Sequence, residues 1–131
     1  MQRYPRFTMC FSIGPSNRDR AEAFALYQRA FGARKIAESA PPGGGDLHIM
    51  MEICGTEILI GPGNTPGTGF ENALNCEIRF DREDAFFAAY HAIGQGARSR
   101  TLEGPYPWAE RLGLVVDKYG IGWALYWNRP E

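Results

Sequence analysis

Three stretches of the chain carry apolar residues at alternate positions, with mainly polar residues between them. They cover residues 7–13, 47–53 and 74–80, and each places its apolar residues at every second position. This period is typical of a β-strand with one buried face and one open face. Less regular patterns predict further strands over residues 34–38, 57–60, 98–102, 110–116 and 121–127.

Two other segments carry apolar residues at helical spacing. Ser16 or Asn17 can cap the first helix, which is expected to end at Phe31 because Gly32 follows it. Asp81 is the predicted cap of the second helix. The expected core-facing residues are Phe24, Tyr27 and Phe31 in the first helix and Phe86, Tyr90 and Ile93 in the second.

The order of one strand, one helix and three strands occurs twice along the chain. Gly32 and Gly96, which follow the two helices, are 64 residues apart, and the hairpin residues Gly55 and Gly120 are 65 apart. Such spacing indicates a duplicated unit. We therefore expect a single domain over residues 1–131, made of two βαβββ modules at 1–62 and 70–131 with a linker at 63–69.

One helix for every four strands can cover only one face of each sheet, which predicts an α+β fold. We expect the helices on the outer face and polar residues on the opposite, concave face. Trp123, Leu125 and Trp127 are expected to lie under the helices. The residues expected on the concave face are Thr8, Cys10, Ser12, His48, Met50, Glu52, Asn75, Glu77, Arg79, Arg111, Gly113 and Val115.

The composition excludes several classes of protein. With 44% hydrophobic residues, 22% charged residues and a net charge of -1, the chain is expected to fold and has no electrostatic attraction to nucleic acid or anionic lipid. No apolar run approaches the ~20 residues that span a bilayer, and no secretory signal precedes the first strand, so a cytoplasmic location is expected.

The chain has three cysteines, Cys10, Cys54 and Cys76, an odd number without CxxC spacing. We expect all three to be reduced and mostly buried.

Two motifs resemble a known family. Residues 27–33, YQRAFGA, resemble the end of the first helix in the glyoxalase/bleomycin-resistance/dioxygenase, or vicinal-oxygen-chelate, superfamily. Residues 108–123, WAERLGLVVDKYGIGW, resemble its PhnB-like branch, in which a Trp-Gly-Asp-Arg stretch leads into an Asp-Pro-Phe-Gly turn and a tryptophan. The resemblance implies two βαβββ modules that form a curved, half-open mixed sheet around a cavity, and a homodimer.

Metal-dependent members of this superfamily place His, Gln or Glu ligands on the first and last strands of each module. By strand register, the resemblance puts these positions at about Thr8, Leu59, Asn75 and Ala124. Leu and Ala have no donor atom, and Thr and Asn bind divalent ions poorly without carboxylate or imidazole ligands. We therefore expect neither a bound metal nor another cofactor.

The concave face supplies a candidate ligand site. Arg79 and Arg111 can clamp an anionic group, and Trp108, with Tyr106, can stack on a planar one. Glu77 and His48 are the candidate catalytic residues because they can exchange protons, while ion pairs Glu77–Arg79 and Glu52–Arg111 are the structural alternative. The full candidate set is Thr8, His48, Glu52, Asn75, Glu77, Arg79, Trp108 and Arg111.

Two functions follow from these expectations. The first is a metal-free homodimer that binds a small anionic or aromatic molecule, as the bleomycin-binding members of the superfamily do. The second is an enzyme of the same superfamily (a lyase, isomerase or resistance transferase) with a relocated metal or a metal-free acid–base pair such as Glu77 with His48. A regulatory module with a vestigial cavity is a third alternative, because one fold hosts many activities.

Overall fold

A computed structural model describes residues 7–40, 44–62 and 76–129 of the chain. The predicted linker and the first two residues of the predicted strand 74–80 lie outside these ranges. The elements are β1 (Met9–Ser12), α1 (Asn17–Phe31), β2 (Arg34–Ser39), β3 (His48–Ile53), β4 (Thr56–Gly61), β5 (Cys76–Phe80), α2 (Glu83–Ile93), β6 (Ser99–Glu103), β7 (Arg111–Val116) and β8 (Gly122–Trp127).

The strands form two four-stranded sheets with the same topology. Sheet A has the order β1-β4-β3-β2 and sheet B the order β5-β8-β7-β6. In each sheet the first and last strands of the unit pair in parallel and the other pairs are antiparallel. This repetition confirms the predicted α+β fold of two βαβββ units, which we call module one (β1–β4 with α1) and module two (β5–β8 with α2).

The ends of the two helices differ. Ser16 and Asp19 form a reciprocal capping box at the start of α1, and Gly32 ends the helix with φ of 67°. The prediction that Asp81 caps α2 is wrong. Arg82 occupies the cap position without a side-chain cap bond, and the Asp84 carboxylate in the first turn instead accepts the Ala85 N–H at 2.8 Å.

The core lies between the helices and the apolar faces of both sheets. The predicted helix stripes are buried except for Phe31, which is half-buried. Trp123 of β8 is 1% exposed and packs against three aromatic rings of module one, with centroid distances of 5.8 Å to Phe11, 5.5 Å to Tyr27 and 4.5 Å to Phe31. The two modules therefore share one core.

A buried carboxylate joins the modules by hydrogen bonds. Asp117, in the β7–β8 turn, is fully buried, and its Oδ2 accepts the Tyr27 hydroxyl at 2.8 Å and the Trp123 indole N–H at 2.9 Å. Its Oδ1 accepts the backbone N–H groups of Tyr119 and Ile121 at 2.8 and 3.1 Å. Burial raises the pKa of Asp117 and these hydrogen bonds oppose the rise. The motif that resembles the PhnB-like turn is thus part of the core.

The predicted orientation of β7 is wrong. Gly113 faces α2, because a Cβ at this position would lie 2.6 Å from the Tyr90 ring. Gly113 also pairs with Leu125, and Arg111 with Trp127, both in the helix-facing set of β8. Arg111, Gly113 and Val115 therefore lie on the helix side of sheet B. The residues of β7 that face the other way are Leu112, Leu114 and Val116.

The cysteines are free, as expected, but two of them are not buried. Cys10 and Cys54 are exposed and only Cys76 is partly buried, beside the core. Cys10 is exposed because it lies on the polar face of β1, and Cys54 because it forms the β3–β4 turn. Among the described residues, neither helix has the length and apolar character needed to cross a bilayer.

Candidate functional site

The face of each sheet opposite the helices, here called the open face, carries four of the eight candidate site residues. In sheet A, the alternating burial of β3 confirms the predicted register, with Ile49, Met51 and Ile53 buried and the residues between them only half-buried. In sheet B, Phe80 packs against Phe86 of α2, so its neighbours along β5 point to the open face. The candidate residues on the open faces are His48 and Glu52 in sheet A and Glu77 and Arg79 in sheet B.

The open face of sheet B is more apolar than the sequence predicted. Leu112, Val116 and Ala124 are buried there but do not belong to the main core. They provide an apolar floor, and charged residues lie only on the flanking strands β5 and β6. One row of paired residues crosses the sheet from β5 to β6, and its members are Arg79, Tyr126, Leu112 and Glu103.

Three aromatic side chains cover one end of this floor. Tyr106 and Trp108, from the β6–β7 loop, stack with centroids 4.8 Å apart and planes 8° apart. Trp108 also contacts Tyr126 of β8 at 5.8 Å with an angle of 61°. Trp108 remains 50% exposed, while the other two tryptophans of the chain are buried. The three rings, which we call the aromatic cluster, offer a large apolar surface to solvent.

The loop that carries Trp108 is held in place by close backbone contacts. Gly104 has φ of 110°, and a Cβ there would lie 2.8 Å from the Glu110 carbonyl oxygen, so only glycine fits. The Tyr106 N–H donates to the Ala109 carbonyl at 2.7 Å, which closes a tight turn around Trp108. The backbone that carries Tyr106 and Trp108 is therefore closely constrained.

Charged groups border the aromatic cluster on β5. The Arg79 guanidinium lies over the Tyr126 ring, 4.5 Å from its centroid, and pairs with Glu77 at 3.4 Å. The Tyr126 hydroxyl donates to Glu77 at 3.3 Å, and partial burial together with this carboxylate raises the pKa of Tyr126. The predicted Glu77–Arg79 ion pair is present, but Arg79 keeps a 63% exposed side chain that can reach a ligand.

The candidate residues of sheet A form a separate group. His48 places Nδ1 3.1 Å from the Asp46 carbonyl oxygen. Glu52 pairs with Arg34 at 3.3 Å, not with Arg111 as the sequence suggested, because Arg34 lies directly opposite on β2. Thr8 is exposed just before β1, beside a cavity of about 400 Å³ that it lines with residues 55–57 of the β3–β4 hairpin.

Only part of the predicted site comes together. Glu77, Arg79 and Trp108 meet through Tyr126, whereas His48 and Glu52 belong to the other sheet. Arg111 is absent from this group because it faces the helices, where its guanidinium donates to the Gly104 carbonyl at 3.3 Å. The proposed Arg79–Arg111 clamp is therefore wrong. Asn75 lies outside the described residues.

Tyr126 is the central residue that sequence reasoning missed. Its neighbours Leu125 and Trp127 were correctly placed under the helices, so the alternation of β8 already put Tyr126 on the opposite face. The orientation of Leu112 could not be predicted from alternation, because β7 carries apolar residues on both faces.

Sequence comparisons identify relatives without a stated activity. No protein-family model matches the chain. An uncharacterized protein of Mycobacterium bovis is 26% identical over 116 residues, which cover 82% of this chain and 75% of that protein. An uncharacterized protein of Mycobacterium tuberculosis strain H37Rv is also 26% identical over 116 residues, which cover 82% of this chain and 67% of that protein.

Structural comparisons define the fold class. The PhnB protein from Bacillus cereus superposes with a TM-score of 0.73 at 18% identity, over 94% of this chain and 99% of that chain. The fosfomycin resistance protein FosX from Listeria monocytogenes, in complex with Mn(II) and sulfate, superposes with a TM-score of 0.67 at 15% identity. The match covers 97% of this chain and 94% of that chain. The chain therefore has the vicinal-oxygen-chelate fold that the sequence indicated. The similarity in fold to both proteins covers nearly the whole chain.

The residues of this chain do not fit a metal site of the kind that the resemblance implies. The register differs from the predicted one by two residues on the first strand of each module: Cys10, not Thr8, lies opposite Leu59, and Glu77, not Asn75, lies opposite Ala124. Each pair thus has one member without a donor atom. In the described ranges, no three His, Cys, Asp or Glu side chains approach one another closely enough to hold an ion.

Proposed function

We propose that this protein is a small-molecule-binding protein whose site is the open face of sheet B, and that its ligand is a planar aromatic molecule with an anionic group. The observation that carries the proposal is the aromatic cluster with Arg79 at its edge. A half-exposed indole on a rigid loop offers stacking surface, and the guanidinium offers charge-assisted hydrogen bonds. Leu112 and Ala124, both buried, make the part of the sheet next to the aromatic cluster apolar.

We further propose that binding needs no metal and that the protein acts as a homodimer. The metal-free state is supported by the donor-free positions Leu59 and Ala124. The dimer is supported only by the resemblance to the superfamily, so it needs its own measurement. Sedimentation of a predominantly monomeric species at micromolar concentration would contradict the dimer without affecting the binding site.

An enzymatic role that pairs Glu77 with His48 has less support. Glu77 is engaged by Arg79 and Tyr126 in sheet B, whereas His48 lies in sheet A. No described contact joins the two side chains. A role for Glu77 alone, in orienting Arg79 toward the ligand, is consistent with both of its contacts.

A thermal-shift comparison of three probes tests the ligand class. Phenylphosphonate combines a ring with an anion, whereas benzyl alcohol keeps only the ring and methylphosphonate only the anion. We expect phenylphosphonate to stabilise the protein most, because it has both the ring and the anion. A ligand at 100 times its Kd adds about 2.7 kcal/mol to the free energy of unfolding. Equal shifts with phenylphosphonate and methylphosphonate would contradict the role of the aromatic cluster.

Variants then locate the site. We expect Trp108→Ala and Arg79→Gln each to weaken phenylphosphonate binding at least tenfold. Arg129→Gln is the matched control, because Arg129 also lies over an aromatic ring, 5.9 Å from the centroid of Trp127, but that ring belongs to the helix-facing side. Binding that is lost equally in Arg129→Gln, or retained in Arg79→Gln, would place the ligand elsewhere.

A further inference from the structure

A second group of reactive side chains lies on the open face of sheet A, away from the aromatic cluster. Cys10 of β1 and His48 of β3 flank the intervening strand β4, which ends at Gly61. The Cys10 side chain is exposed, and the His48 ring is half-buried. The proposed function above uses neither residue.

Gly61 allows the thiol and the imidazole to approach each other across the middle strand. A Cβ at this position would lie 3.4 Å from Cys10 Sγ, 3.6 Å from His48 Cδ2 and 3.9 Å from His48 Nε2. Both side chains therefore lie next to the Cα of Gly61, the position at which the strand between them has no side chain. Rotation of the Cys10 side chain or one bridging water completes a proton path between Sγ and Nε2.

The backbone orients the imidazole for this contact. His48 Nδ1 lies 3.1 Å from the Asp46 carbonyl oxygen, which can only accept a hydrogen bond. In neutral His48 the proton is therefore on Nδ1, and Nε2, on the side of Gly61 and Cys10, is free to accept one. A nucleophile, a base and a group that orients the base are the parts of an activated thiol.

We propose that Cys10 and His48 form a site that reacts covalently with α,β-unsaturated carbonyl compounds. His48 Nε2 accepts the Cys10 thiol proton as the sulfur attacks the β-carbon. A carbon–sulfur bond forms, the carbon–carbon π bond breaks, and the imidazolium returns the proton to the α-carbon. The product is a thioether, and neither an oxidant nor a reductant is needed. An imidazole suits this addition because one group both removes and returns the proton.

Acrylamide, a small member of this class, tests the proposal on the intact protein. The other two cysteines are internal controls, since Cys54 is exposed without a described histidine contact and Cys76 is partly buried. Burial raises the pKa of Cys76 to about 11, which makes it the slowest of the three. Peptide mass mapping over time should show Cys10 modified at least tenfold faster than Cys54 at neutral pH. Equal rates at Cys10 and Cys54 would overturn the proposal.

Two variants separate base catalysis from simple exposure. His48→Gln should slow the modification of Cys10 about tenfold or more and leave Cys54 unchanged, since general-base catalysis contributes roughly 10²–10⁴-fold. Gly61→Ala places a methyl group in ordinary contact with both side chains and should slow Cys10 without removing either group. An unchanged rate at Cys10 in His48→Gln would refute the role of the imidazole. Trp108→Ala should leave the rate unaffected, so failure of this proposal is distinct from failure of the ligand site.

Discussion

The β3–β4 hairpin of module one and the β7–β8 hairpin of module two occupy equivalent positions but differ in environment. The first turns at Cys54 and Gly55, both exposed, with φ of 51° and 81°. The second turns at Asp117–Gly120, where Asp117 is fully buried and joined to Tyr27 of the other module. One hairpin ends in solvent, and the other ends in the core.

The difference shows how a duplicated unit becomes asymmetric. Gly32 and Gly96 share a positive φ, of 67° and 68°, but Gly32 directly follows α1 whereas Gly96 lies three residues beyond the end of α2. Tyr27 is fully buried, whereas His91 of α2, which lies 64 residues later as Gly96 lies 64 residues after Gly32, is exposed. The hydrogen bond to a buried carboxylate therefore joins α1 to the β7–β8 turn, and the exposed His91 does not provide a matching buried group for the exposed β3–β4 turn.

The largest expected effect comes from removing the buried carboxylate. Asp117→Ala leaves the Tyr27 hydroxyl, the Trp123 indole N–H and two backbone N–H groups without their acceptor. Each buried donor that is left without a partner costs about 1–3 kcal/mol, so several kcal/mol of stability should be lost. Urea denaturation should show this loss in the free energy of unfolding.

His91 of α2 provides the control for Asp117→Ala. His91→Ala changes the residue that lies 64 positions after Tyr27 and should alter the free energy of unfolding by less than about 0.5 kcal/mol, as expected for an exposed residue. If Asp117→Ala were no more harmful than His91→Ala, the two hairpins would not differ in the way described.

The pH dependence of stability sharpens the same contrast. Because burial raises the pKa of Asp117, the native state binds more protons than the unfolded chain between the ordinary aspartate pKa of 3.8 and the raised value. The contribution of Asp117 to the free energy of unfolding therefore falls as pH rises through this window, with a slope of up to about 1.4 kcal/mol per pH unit. Denaturation of the native protein and Asp117→Asn at several pH values measures this contribution as the difference between them. A difference that grew with pH would mean that the four hydrogen bonds outweigh burial.

A small effect of the opposite sign is expected at the exposed hairpin. Cys54 has φ of 51°, a region that asparagine tolerates better than cysteine. Cys54→Asn should raise the free energy of unfolding by a few tenths to about 1 kcal/mol. A loss of stability would indicate that the Cys54 side chain contributes contacts that the exposed turn does not suggest.

Local patterns were sufficient to predict most of the fold. Alternation located β1, β3 and the described part of the 74–80 strand, and Ser16 and Gly32 marked both ends of α1. The nearly equal spacings of the two glycine pairs, 64 and 65 residues, predicted the duplication. The cap of α2 was not predictable in this way, because Asp81, Arg82 and Asp84 are all polar and only the three-dimensional structure shows which group meets the backbone.

The site was less predictable because its residues depend on register between distant strands. β7 has apolar residues on both faces, so its alternation does not identify the buried one, and the decisive contact of Gly113 with Tyr90 comes from another element. This ambiguity placed Arg111 on the wrong side. Asp117 looked like an ordinary turn residue, since nothing local indicates that Tyr27 and Trp123 enclose it.

The hydrogen bond between Tyr27 and Asp117 joins residues 90 positions apart in sequence. Such a long-range contact raises the contact order, and it can form only after both halves of the polypeptide have been synthesised. Until then α1 lacks the acceptor for its tyrosine, and Phe11 and Phe31 lack the indole that covers them. The nascent first half must therefore expose an aromatic surface, and native folding has to wait for the second half.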